Sequence, residues 1–213
     1  ALADPRLEEE MKRLVGFGAD DRVFVAGSTH EGEEEVVIRS FLKLRESFPE
    51  LLLLLVPRHV DRCQRVERIL ERNGIRHWVR RSRLNGQGWK EARVVLWDTF
   101  GELFKIYSLG TLVFCGGSLV PKRGQNILEP AAWGKMVLYG PSMEDFLDAH
   151  GLLSSVGAGI MVRDERELTE RCLYLLNHSR EREERGEAGR EALLAQRGAT
   201  QRNLELVRKL LKR

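Results

Sequence analysis

The residues best suited to binding an anion follow short apolar runs of the chain. The longest run, Leu51 to Val56, is purely apolar and leads into Pro57, Arg58 and His59. A planar guanidinium holds a phosphate or a carboxylate through two parallel hydrogen bonds, and Pro57 stiffens the turn. We therefore expect Arg58 to bind an anionic group, with His59 either a hydrogen-bond donor behind it or a surface residue.

A second candidate anion site is a three-residue segment that follows another apolar run. It consists of Phe100, Gly101 and Glu102. Asp98 or Thr99 just before it is a suitable helix N-cap, and the first N–H groups of a helix lack partners within the helix. Such groups bind phosphate when they face a cleft. Either a ligand contact or a plain helix cap accounts for this segment.

A glycine-rich segment farther along the chain combines small residues, an amide and an acid. Gly116 and Gly117, followed by Ser118, would let a ligand approach the backbone closely. Asn126 and Glu129 come next, and a carboxylate can accept hydrogen bonds from both hydroxyls of a ribose. Glu129 would otherwise only stabilise a helix dipole. The recurrence of these residue types favours a binding role.

The turn after the first apolar run is a weaker candidate. Ser28 and Thr29 could cap the helix that follows and direct N–H groups toward a phosphate. The turn lacks the GxGxxG spacing of a dinucleotide site, and three glutamates at 33–35 stand where a P-loop would have lysine. These acids would repel a polyphosphate, or they simply stabilise a helix start.

Apolar runs of strand length alternate with amphipathic runs of helix length, which indicates βαβ units and a parallel sheet. The sequence therefore predicts an α/β fold, a Rossmann-like doubly wound parallel sheet. The predicted strands are 23–26, 51–56, 77–79, 94–97, 112–115, 136–139 and 159–162. The predicted helices are 33–47, 61–73, 101–108, 127–133, 143–154, 165–177 and 181–211, and residues 82–91 form the most flexible predicted loop.

Composition excludes several classes of protein. With 213 residues, 42% hydrophobic and 31% charged, the chain can bury a core and is not of the disordered class. Its apolar runs are too short to span a bilayer. The three cysteines lie far apart without CxxC spacing, and His77, His150 and His178 show no metal-ligand spacing, so we expect a reducing compartment and no metal site.

Positive charge is concentrated in one segment. Residues 58–93 carry eleven basic and four acidic side chains, although the whole chain has a net charge of only +3. The arginines spaced along 62–72 suggest an anionic partner or a membrane surface. A solvated helix face, paired internally with Glu67 and Glu71, would give the same pattern.

Taken together, five stretches resemble one known family. They are AGSTHEGEEE (26–35), LVPRH (55–59), DTFGEL (98–103), YSLGTLVFCGGSLVPKRGQNILEPAAWGK (107–135) and YGP (139–141). The combination is similar to the C-terminal, nucleotide-binding half of bacterial 3-deoxy-D-manno-octulosonic acid (Kdo) transferases, which are GT-B glycosyltransferases. The resemblance runs from about residue 20 to about residue 200.

The resemblance implies a function and a set of binding residues. The family transfers Kdo from CMP-Kdo to a lipid A precursor in lipopolysaccharide synthesis, at the cytoplasmic face of the inner membrane. The residues that would hold CMP-Kdo are Pro57, Arg58, Phe100, Gly101, Glu102, Asn126, Ile127, Leu128 and Glu129, with Ser28, Thr29, His59, Gly116, Gly117 and Ser118 as further candidates. No metal or other cofactor is implied, and no nucleic-acid partner.

The resemblance also implies that residues 1–213 are a single CMP-sugar-binding domain, soluble as a fragment, with terminal helices at about 181–211. The family's N-terminal domain, which supplies the acceptor groove, the membrane segment and the catalytic base, is absent, so we expect no catalytic residue here. Gln125 stands where the family usually has histidine, which removes an ionisable group. The alternatives are a GT-B domain that uses a UDP-sugar and a non-catalytic module that binds a nucleotide or a membrane surface.

Overall fold

The computed structural model describes residues 3–18, 20–84 and 92–196. Strands and helices alternate along this part of the chain. The strands are β1 (Val23–Thr29), β2 (Leu52–Pro57), β3 (Val79–Arg80), β4 (Val94–Leu96), β5 (Leu112–Cys115), β6 (Val137–Tyr139) and β7 (Gly159–Met161). The helices are α1 (Pro5–Val15), α2 (Glu33–Ser47), α3 (Cys63–Arg72), α4 (Leu103–Tyr107), α5 (Leu128–Ala132), α6 (Leu147–Ser155), α7 (Glu165–Asn177) and α8 (Ser179–Gln196).

The strands form one parallel sheet in the order β3-β4-β2-β1-β5-β6-β7. Without the short edge strand β3, this is the doubly wound order, in which the chain turns back between β1 and β5. Gly27 lies opposite both Val56 and Cys115, so the turns after these three strands begin at the same level. The predicted fold class is confirmed.

The sheet separates two apolar layers. Phe24 and Leu53 point to the layer that includes α2, α3 and α7, whereas Val25 and Leu54 point to the layer that includes α1, α4, α5 and α6. Successive residues of a strand face opposite sides of a sheet, and both sides are covered here. This explains why the strand residues show no polar alternation in the sequence.

Most predicted elements appear at or near their predicted positions. The bounds of α2, α7 and β5 agree with the sequence prediction, and a 3₁₀ turn at Val60–Arg62 precedes α3. Helix α4 begins two residues later than predicted, at Leu103. Residues 197–211 of the predicted last helix and 85–91 of the predicted loop lie outside the described part of the chain.

The sequence reasoning missed α1. The carboxylate of Asp4 accepts a hydrogen bond from the N–H of Arg6 and caps the helix, which ends at Gly16 with φ of 70°. Of the eleven residues in this helix, the fully buried ones are Met11 and Val15. Leu7, Met11, Leu14 and Val15 recur at the spacing of one helical face, so the sequence does carry the signal of this helix.

Of the helices in the described ranges, none is long and apolar enough to cross a membrane.

Candidate functional site

A cavity of about 260 Å³ opens at the carboxyl edge of the sheet. The turns after β1, β2 and β4 and the start of α5 enclose it. Predicted site residues that line it are Ser28, Pro57, Arg58, Phe100, Gly101, Glu102, Asn126 and Glu129, and Gln125 lines it as well. The fold therefore brings four separate segments of the sequence to one place.

Arg58 supplies a free positive charge to this cavity. Its N–H donates to the carbonyl of Thr29 at 2.9 Å, which holds the turn after β2 against the end of β1. The guanidinium is exposed and, within the described ranges, pairs with no carboxylate. A guanidinium with no internal partner, at the mouth of a cleft, is available to an anionic ligand.

Half of the arginines that follow Arg58 on this face are paired, whereas Arg68 and Arg72 form no ion pair with a described carboxylate. Arg62 binds the buried Glu34 at 3.0 Å, and Arg65 binds Glu31. The partners predicted from helical spacing were wrong in part, because Glu67 binds Arg80 of β3 at 2.7 Å instead. The arginine face of α3 therefore carries less uncompensated charge than its sequence suggests.

The turn at 99–102 is held together by the carboxylate of Glu102. It accepts hydrogen bonds from the indole N–H of Trp97 at 3.1 Å, from Arg81 at 2.8 Å and from the hydroxyl of Thr99. Burial raises the pKa of Glu102, but the bonds from Thr99 and Arg81 outweigh it and hold the pKa below its usual value. The Glu102 carboxylate uses its hydrogen bonds to hold the turn, so a ligand would contact the main chain of the turn instead.

The same turn leaves main-chain donors facing the cavity. The N–H groups of Phe100 and Gly101 have no acceptor among the residues of known position, and Gly101 has φ of 87°. The predicted N-caps were wrong, because α4 has no side-chain cap and Asp98 instead accepts two hydrogen bonds from Ser82 at 2.7 and 2.8 Å. Main-chain N–H groups of this kind bind anions well.

Asn126 and Glu129 meet the cavity at the start of α5. Asn126 Oδ1 accepts a hydrogen bond from the N–H of Leu128 at 3.1 Å. Burial raises the pKa of the half-buried Glu129, and a hydrogen bond from Asn126 and the charge of Arg58 partly offset this. Ile127 is fully buried, and it packs with Leu128 in the core beneath the site, so these two side chains support it from below.

The glycine-rich turn after β5 is occupied by a side chain of α2. The N–H groups of Gly117, Ser118 and Leu119 donate to the carboxylate of Glu33 at 2.7, 3.0 and 2.9 Å, and the N–H of His30 donates to it at 2.9 Å. Glu33 is fully buried. Sequence reasoning treated this glutamate only as charge at a helix start and missed its role.

Gly116 allows two strands, rather than a strand and a ligand, to approach closely. A Cβ at this position would lie 2.5 Å from the carbonyl oxygen of Ser28 and 2.7 Å from the Cα of Thr29. The residues 116–118 do not line the cavity.

Of the remaining candidate residues, Ser28, Thr29 and His59, one lines the cavity. Ser28 lines the cavity in a left-handed conformation, with φ of 53°. The buried Thr29 hydroxyl has no hydrogen-bond partner within the described ranges. The prediction that one of these two caps α2 was wrong, because Gly32 precedes the helix without a side-chain cap. His59 lies outside the cavity lining, edge-on to His30 with ring centres 5.8 Å apart.

No group of three His, Cys, Asp or Glu side chains in the described part of the chain could hold a metal ion.

Comparison with known proteins finds similar sequences and similar solved structures. No family model matches the chain. It is 37% identical over 195 residues to the 3-deoxy-D-manno-octulosonic acid transferase of Haemophilus influenzae, covering 91% of this chain and 45% of that protein. It is 34% identical over 198 residues to the transferase of the same name from Aquifex aeolicus, covering 83% of this chain and 54% of that protein. The chain thus spans about half the length of these curated relatives.

A solved structure shows which half of these relatives the chain corresponds to. The C-terminal CMP-Kdo binding domain of WaaA from Acinetobacter baumannii matches with a TM-score of 0.80 and 26% identity, over 89% of this chain and 99% of that one. The chain is homologous to the C-terminal domain of Kdo transferases. The resemblance recognised in the sequence is confirmed, as is the GT-B character of the fold.

Within this Kdo transferase homologue, the cavity includes residues from four of the five resemblance motifs: AGSTHEGEEE, LVPRH, DTFGEL and the long segment 107–135. Arg58, the N–H groups of Phe100 and Gly101, and the Asn126 and Glu129 side chains form its polar part.

Proposed function

We propose that this chain is the donor-binding domain of a Kdo transferase and holds CMP-Kdo in the cavity at the carboxyl edge of its sheet. The observation that carries the proposal is the unpaired guanidinium of Arg58, which lines one cavity with free main-chain N–H groups and the Glu129 carboxylate. The likeness to a domain named for CMP-Kdo binding supports the same ligand.

Different residues of the site bind different parts of the nucleotide. Arg58 and the N–H groups of Phe100 and Gly101 bind the single phosphate of CMP-Kdo. Asn126 and Glu129 bind the ribose, because an ionised carboxylate accepts hydrogen bonds from two neighbouring hydroxyls. Burial raises the pKa of Glu129, and the hydrogen bond from Asn126 and the charge of Arg58 act in the opposite direction without cancelling it.

In catalysis the domain stabilises the departing CMP. Donors already aimed at the phosphate stabilise the charge that develops on it as the bond to Kdo breaks. The base that activates the acceptor hydroxyl comes from an N-terminal domain, so this chain supplies binding residues and no catalytic base. The whole enzyme would act on a lipid A precursor at the cytoplasmic face of the inner membrane, and this part of it needs no metal.

Calorimetric titration with CMP and with cytidine tests the assignment. Arg58→Ala should weaken CMP binding at least about tenfold and leave cytidine binding unchanged, because only CMP has the phosphate. Glu129→Gln should weaken both ligands alike. Arg65→Ala is the matched control, since that guanidinium already pairs with Glu31 and should have no effect. Absence of binding at millimolar CMP, or equal affinity in all variants, would refute the proposal.

A further inference from the structure

A cluster of basic side chains lies beside the cavity, on the far side of Gly117. A Cβ at Gly117 would lie 3.3 Å from Cδ2 of His30 and 3.5 Å from Cγ of Gln125, so both side chains border this glycine. Gln125 lines the cavity, whereas His30 does not. The ring of His30 meets the ring of His59 edge-on, at 5.8 Å between centres. His59 directly follows Arg58 in the chain.

Lys122 completes this cluster. Its loop passes over the start of α2, where a Cβ at Gly32 would lie 3.5 Å from Val120. The Lys122 side chain is exposed and forms no ion pair with a described carboxylate. The next residue, Arg123, is also exposed but pairs with Asp145 at 2.7 Å. Lys122 is thus a free cation on a loop whose other cation is satisfied.

The surroundings of His30 are strongly cationic. Burial and the charges of His59, Lys122, Arg62 and Arg58 lower the pKa of His30 to about 4. Its Nε2 is buried and has no hydrogen-bond partner in the described part of the chain. Of the carboxylates that follow His30 in the chain, Glu31 pairs with Arg65, Glu33 accepts four N–H groups, and Glu34 pairs with Arg62.

We propose that His30, His59 and Lys122 form a subsite for the carboxylate of the donor sugar. The proposal rests on the function proposed above, in which Arg58 holds the phosphate. Kdo is a sugar acid whose carboxylate is attached to the same carbon as the phosphate oxygen of CMP-Kdo. The donor therefore presents two anions side by side. Arg58 lies where the phosphate is proposed to bind, and the adjoining cluster offers the carboxylate the free cation of Lys122 and the imidazole groups of His30 and His59.

This subsite would set the class of donor. A hexose linked to UDP has no carboxylate next to its phosphate, so it would leave the cluster of His30, His59 and Lys122 without a partner. A donor that is both a CMP ester and a sugar acid has an anion for Arg58 and another for the cluster of His30, His59 and Lys122.

Titration of the chain with CMP and with freshly prepared CMP-Kdo tests the subsite. Lys122→Gln should lower affinity for CMP-Kdo about fivefold to tenfold, because a charge-assisted hydrogen bond is lost, and should change CMP affinity less than about twofold. Arg123→Gln, on the same loop, should change neither. His59→Gln, also exposed, should follow Lys122→Gln. In NMR spectra, CMP-Kdo should shift the imidazole signals of His30, and CMP should not.

The outcomes separate the two proposals. Equal losses for CMP and CMP-Kdo in Lys122→Gln would make Lys122 part of the phosphate site and overturn the subsite. Unchanged CMP-Kdo affinity in both Lys122→Gln and His59→Gln would overturn it as well, with CMP binding intact. If the unaltered chain does not bind CMP at all, the proposed function fails, and the subsite fails with it.

Discussion

Replacing Glu33 by glutamine should destabilise the chain far more than a conservative change usually does. The carboxylate of Glu33 is fully buried and accepts four main-chain hydrogen bonds, three of them from the turn after β5. In Glu33→Gln, one oxygen becomes an NH₂ group that faces N–H donors. Hydrogen bonds to charged groups contribute about 1.5–3 kcal/mol each. The loss of two of them predicts a decrease of about 3–6 kcal/mol in the free energy of unfolding.

Urea denaturation followed by circular dichroism measures this change. The matched control is Glu31→Gln, two residues earlier, whose carboxylate is exposed and pairs with Arg65 on the surface. Exposed pairs contribute less than about 1 kcal/mol, so the control should stay within that range. A loss of under about 1 kcal/mol in Glu33→Gln would refute the reasoning, because it would mean that the turn after β5 keeps its shape without the carboxylate.

Two further predictions concern the buried Glu34 and the partly exposed Glu102. Burial raises the pKa of Glu34 to about 7 despite its pairing with Arg62, so the folded chain binds a proton more tightly than the unfolded chain does. The free energy of unfolding should therefore fall as the pH rises from about 4.5 to about 7, and Glu34→Gln should remove this part of the pH dependence in urea titrations at several pH values. Glu102→Gln should weaken CMP binding about threefold to tenfold in calorimetry, because the turn that presents the N–H groups of Phe100 and Gly101 loses charge-assisted bonds. Unchanged CMP affinity would mean that the turn is held without Glu102.

The parts of the fold that sequence predicts well are those in which local pattern and burial agree. The bounds of α2 and α7 follow from regular apolar spacing, and β5 from a short apolar run that ends at glycine. Helix α1 obeys the same rule, with Leu7, Met11, Leu14 and Val15 on one face, but the charged residues between them hide that face in a plain reading of the sequence. Of this face, Met11 and Val15 are fully buried in the core.

Some residues of the candidate site could be predicted from the sequence, and others could not. Arg58, Asn126 and Glu129 could be found from residue type and place, because each follows a strand or starts a helix at one edge of the sheet. The role of Glu33 could not be found, since three of its four donors lie 84 to 86 positions away in the chain. Local spacing also could not show that the Glu102 side chain turns back onto its own loop.

The carboxylate of Glu33 has a consequence for where a phosphate can bind. A doubly wound sheet ordinarily receives its ligand in the crevice where the chain turns back, here between β1 and β5. Three converging N–H groups stand in that crevice, as they would around a phosphate, but the chain's own carboxylate already fills them. The donors of that crevice are thus saturated from within the chain, so the function proposed above places the phosphate to one side, over β2 and β4 and beside Arg58.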